Sequence, residues 1–159
     1  MPKRADSTFP VDHDDEKELL LDWLGYLRRA AVRNIEGVDE ADAHRRPDGR
    51  LLPLVGIVNH LVGVERRWID GRMRGGPVVR SEDEFFPGLD VTVADVVRTY
   101  SERAASTDAV VRSLPLDEPA RREKGITLRW VLLHLINETA RHAGHADAVR
   151  ELIDGSTGE

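Results

Sequence analysis

The sequence contains no cysteine. That excludes disulfides, thiolate metal sites and cysteine nucleophiles, and it is compatible with a reducing cytoplasm. Long apolar runs are missing too: none approaches the roughly 20 residues that span a bilayer. The stretch from Met1 to Asp15 is charged and has no apolar core, so no secretory signal is expected there. There is no long basic run, and the net charge is -6. Binding to nucleic acid through phosphate neutralisation needs a concentrated positive surface, which these charges do not supply. Convincing strand patterns are absent as well. The expectation is a soluble, cytoplasmic protein with neither membrane nor nucleic acid as a partner.

What is present is ordinary globular material: 159 residues, 40% hydrophobic and 33% charged. This length favours one domain with a real core. Residues 1–13 read as a flexible N-terminal arm, and residues 14–155 as an all-α unit. From Asp14 to Glu36, Leu19, Leu20, Trp23, Leu24, Leu27, Ala30 and Ala31 recur at spacings of three and four, which predicts one buried stripe. Residues 37–52 read as a connection. Pro53 suits the first turn of a second helix, which carries Ile57, Leu61, Val64, Glu65 and Trp68 and ends near Gly71 to Gly76. Residues 75–91, with Phe85 and Phe86 among Gly, Pro and acidic residues, read as a long loop folding over something. Thr92 with Asp95 predicts a capping box for a third helix ending at Leu114-Pro115. Thr127 is the expected cap of a fourth, running to about Ile153. An antiparallel four-helix bundle is the simplest way to bury four such stripes.

Chemistry concentrates in the last helix, in His134-Leu-Ile-Asn-Glu138-Thr-Ala-Arg-His142-Ala-Gly-His145. At about 100° per residue, and with Glu138 as origin, His134 lies near -40°, His142 near +40° and His145 near -20°. The four polar side chains share one stripe of a mainly apolar helix, so they need partners. Residues at i and i+4 stand on adjacent turns and can reach one ion. Imidazole with carboxylate suits a divalent metal: zinc first, then nickel or manganese. A third ligand must come from another helix, and His60, midway along the second in an apolar setting, is the candidate. The competing reading makes these residues hydrogen-bonded core groups, with Glu138 paired to Arg129 or Arg141.

At these residues the chain resembles the DinB-like superfamily. There, a second-helix His and two last-helix ligands four residues apart bind a divalent metal. The resemblance covers roughly residues 14–153. It places His60, Glu138 and His142 as metal ligands, His134 at the preceding His position, and Gly144 and His145 at the family's Gly and Gln positions. Glu138 stands where many members have His. The His, Glu, His set is that of the mycothiol-dependent maleylpyruvate isomerases, and the run from Ala140 to Asp147 is similar to an actinobacterial branch. The resemblance implies a four-helix bundle, a homodimer, and a metal-dependent S-transferase or isomerase using a low-molecular-weight thiol such as mycothiol against an electrophilic substrate. A metal-bound water would instead make a hydrolase. A non-catalytic binding protein and an interaction module are the other classes. His145 is a catalytic acid/base candidate, with a second-layer partner or fourth ligand as alternatives. Arg129 and Arg141 are candidates for binding a carboxylate of the thiol or substrate, since the guanidinium fork matches that group.

Overall fold

A computed structural model describes residues 9–12 and 14–158. Among these residues the chain is all-α, with no strand and one isolated bridge between Pro119 and Thr127. Most of the arm expected over residues 1–13 lies outside the described residues. Within residues 9–12, the Phe9 ring packs on Trp23 and Tyr26, at centroid distances of 5.9 and 5.3 Å.

Helix α1 spans Glu16–Arg33. It starts two residues later than the charge pattern suggests, because the Asp15 carboxylate accepts the backbone N–H groups of Lys17 and Glu18 and so forms the cap. The stretch read as a plain connection holds a short helix, α2 (Glu40–His44), capped by Asp39, and a single 3-10 turn at Pro47–Gly49. Helix α3 spans Leu54–Glu65, with Pro53 at the cap position just before the first turn. It continues without a break into π-helical turns over Arg66–Met73. The apolar periodicity predicts where this element ends but not the widening of its second half. A 3-10 turn over Glu82–Phe85 follows, within the stretch read as a loop. Helix α4 spans Val93–Ser113 and opens on the expected capping box: Thr92 and Asp95 each accept the other's backbone N–H. Helix α5 spans Leu128–Asp154 and stops at Gly155. Thr127 sits at its cap, but its side chain makes no capping hydrogen bond, so that expectation is corrected.

Helix α1 packs along α5, and α3 packs against both α4 and α5. The core has two apolar clusters. One joins Ala30, Ile35, Leu54, Leu61, Tyr100 and Val149; the other joins Leu21, Leu24, Ile69, Val111, Leu132 and Leu135. The helices also bury polar side chains, among them Arg28, Glu65, Thr107 and Thr139. Arg28 of α1 donates to both carboxylate oxygens of Glu65 on α3, at 2.8 and 2.9 Å, and to Asp108 of α4 at 2.8 Å. Thr139 of α5 is buried at the same level and donates to the Leu135 carbonyl. Arg28 stands four residues after Leu24 and three before Ala31, in phase with the buried stripe. No described helix is long and apolar enough to cross a membrane.

Candidate metal centre

The polar stripe of α5 meets α3 at one point. His60, Glu138 and His142 each offer a ligand atom there, and these atoms all lie within 4.8 Å of one another. Local rules explain the convergence. Glu138 and His142 are one helical turn apart, with His142 Nε2 3.7 Å from a Glu138 oxygen. His60 is only 5% exposed on a largely apolar helix, and its ring lies edge-on to His142 with centroids 4.6 Å apart.

The donor set fits a divalent cation. His142 Nδ1 is buried and has no hydrogen-bond partner, an orphan that a buried polar group seldom tolerates. Burial, helped by the neighbouring His60, pushes the His142 pKa down to about 4. Burial likewise holds His60 below the ordinary imidazole value, although the Glu84 carboxylate opposes the shift. Both rings are therefore neutral at neutral pH, the form that ligates a metal. Two neutral nitrogens and one carboxylate leave a divalent cation with one net positive charge.

The three groups open into a cavity of about 540 Å³ lined by His60, Arg80, Phe85, Glu138, Arg141, His142 and His145. Its floor, His60, is buried, whereas Arg80 and Arg141 on its rim are exposed. His145 shares this cavity but is not one of the three clustered donors. Burial lowers its pKa as well. His134 is drawn elsewhere: its ring stacks on Trp130 at 5.3 Å and lies 4.3 Å from Trp68. Trp130 is itself 43% exposed. Of the two arginines expected to bind a carboxylate, the structure brings only Arg141 to the cavity. Arg129 is spent on an exposed ion pair with Glu16 at 2.7 Å, because its position at the start of α5 faces the first turn of α1.

Two further residues of the site were not anticipated. Arg80 reaches the cavity from the stretch read as a loop, its guanidinium 5.2 Å from the Phe85 ring centroid. Glu84 is buried, and its carboxylate contacts both His60 Nδ1 and the Arg67 guanidinium. Burial works to raise the pKa of Glu84, but the hydrogen bonds from Arg67 and His60 prevail and hold it below the ordinary carboxylate value. Neither residue carries a spacing signal in the sequence, because the contact spans 24 positions and depends on how a non-helical stretch is draped. Of the Phe85-Phe86 pair, Phe85 lines the cavity, whereas Phe86 is 46% exposed beneath Arg46.

No curated protein and no solved structure matches the chain. The family model described as "MST: Mycothiol-S-transferase" matches residues 19–155. The matched span takes in α1 through α5 almost entire, together with all three clustered donors and every residue lining the cavity. The chain belongs to the mycothiol-S-transferase family, within the DinB-like superfamily.

Proposed function

We propose that the protein is a divalent-metal-dependent S-transferase that joins the sulfur of mycothiol to an electrophilic substrate, with the long helices forming a DinB-like four-helix bundle around the site. The observation that carries this reading is the cavity: three donors converge on its wall, and its rim is open to solvent. A closed site with His145 as a fourth ligand would favour storage or structure, and His145 stands outside the cluster.

In this reading His60, Glu138 and His142 hold the cation, zinc being the first candidate and nickel or manganese the alternatives. A bound cation strongly favours thiolate over thiol near neutral pH, and the small thiol supplies the nucleophilic sulfur that a chain without cysteine lacks. His145, neutral and on the cavity wall, accepts the thiol proton and returns it to the product or leaving group. Phe85 closes one side of the cavity with an apolar ring. Arg141 and Arg80 bind an anionic group, a carboxylate above all, on the substrate or thiol. Neither arginine has a carboxylate partner among the described residues, in contrast to Arg129 and Arg112 on the surface.

The test is thiol consumption with mycothiol and monochlorobimane in metal-loaded protein. Conjugation above the uncatalysed rate, abolished in the His60→Ala/His142→Ala variant, supports the reading. An equal rate in the variant contradicts it. For an anionic electrophile, Arg141→Ala is expected to raise KM roughly tenfold or more, the worth of one lost hydrogen bond to a charged group.

A further inference from the structure

The turn Glu82–Phe85 does not lie loosely over α3; it is seated in it. Gly56 and Gly63 stand seven residues, about two helical turns, apart and flank His60. A Cβ on Gly56 would overlap the Phe85 carbonyl, and one on Gly63 would overlap the Glu84 carboxylate and the Arg67 guanidinium. Glycine is otherwise a poor choice inside a helix, so both positions are explained by the close approach of this turn. Between the two notches, Asn59 Nδ2 donates to the Glu84 carbonyl at 2.8 Å. The His60 ring stacks on Phe85, with centroids 4.3 Å apart and planes inclined by 23°. Ser81 Oγ accepts the Asp83 N–H and caps the turn. The result is a strap whose backbone and side chains are both fastened to the helix that carries His60.

We infer that Glu84 is a positioning residue: its carboxylate accepts a hydrogen bond from His60 Nδ1–H, fixing the tautomer and ring orientation in which Nε2 faces the cavity. The inference rests on the metal-centre reading above and adds to it a residue from outside the donor set. Its physical basis is that a ligating imidazole is aimed by the partner of its other nitrogen. Arg67 completes the device. By donating to both oxygens it fixes the Glu84 carboxylate in place and balances its charge.

The experiment combines zinc affinity, measured by competition titration with a chelating dye, with nitrogen-15 NMR of the imidazoles in the metal-free protein. In the wild type, His60 is expected as the Nδ1–H tautomer. Glu84→Ala is expected to weaken zinc binding about 10–100-fold while unfolding stays cooperative. Glu84→Gln, whose amide oxygen can still accept from Nδ1–H, is expected to recover part of that loss. Gly63→Ala, which alters no ionisable group, is expected to weaken binding by pushing the carboxylate off its seat, and it serves if Glu84→Ala does not fold. His60 found as the Nε2–H tautomer overturns the assignment. So does an unchanged zinc affinity in both Glu84→Ala and Gly63→Ala, with the metal centre itself left standing. A wild type that binds no zinc, nickel or manganese defeats the metal-centre reading and this assignment together, so the two failures are told apart.

Discussion

At the scale of single residues, the fold commits two kinds of buried charge to two tasks. Arg28, 6% exposed, and Glu65, 1% exposed, satisfy one another through two parallel hydrogen bonds, with Asp108 completing the set. Removing the cation strands a carboxylate between two apolar clusters. Arg28→Ala is therefore expected to lower unfolding stability by about 3–5 kcal/mol, the usual cost of breaking a buried ion pair. Urea denaturation measures it, and a loss under about 1 kcal/mol would show that Glu65 finds water or another donor. Glu84 with Arg67 is the second set, placed against His60 rather than between helices. The donors His60, Glu138 and His142 were legible because helical spacing is a strong constraint: i and i+4 must share a face, and a lone His on an apolar helix must find a partner. Arg80 and Glu84 were illegible because no periodicity governs the chain between the π-helical turns and α4. Arg129 and Arg141 look alike on paper. They differ only in which neighbour faces each, Glu16 for one and the cavity for the other.

At the scale of elements, the long helices follow from their apolar stripes and their ends follow from local chemistry. Thr92 and Thr127 both precede a helix, but only Thr92 makes the reciprocal bonds of a capping box. Thr92→Ala is accordingly expected to cost about 1 kcal/mol, and Thr127→Ala only a few tenths. Thermal or urea unfolding of the two variants separates them, and equal losses would contradict the difference. The box also carries an acid signature. Hydrogen bonds from Thr92 hold Asp95 below its ordinary value in the folded state. A depressed carboxylate stabilises the fold above its unfolded pKa and loses that effect as pH falls through the folded one. The stability gap between wild type and Asp95→Asn should therefore close on acidification. The π-helical turns had no visible signal in the sequence, since Arg66–Met73 contains nothing that a regular helix would reject except Gly71. They place Arg67 on Glu84, Trp68 beside His134 and Asp70 on Arg103.

At the scale of the whole molecule, the core divides into two apolar clusters, and the candidate metal centre opens from the α3–α5 contact into a cavity. The all-α class was legible because four stripes of helical period leave few other ways to bury them. The draped stretch before α4 was legible only as a stretch without periodicity. Its role emerged from what it touches: Phe85 and Arg80 at the cavity, Glu84 on His60. The proposed chemistry depends on the cavity holding a cation. The most direct measurement is elemental analysis of protein purified without a chelator or a metal-affinity tag, beside the His60→Ala/His142→Ala variant. Close to one equivalent of a divalent metal in the wild type, lost in a variant that remains folded, is the predicted result. No bound metal in the wild type, even after zinc, nickel and manganese are added, would contradict the account.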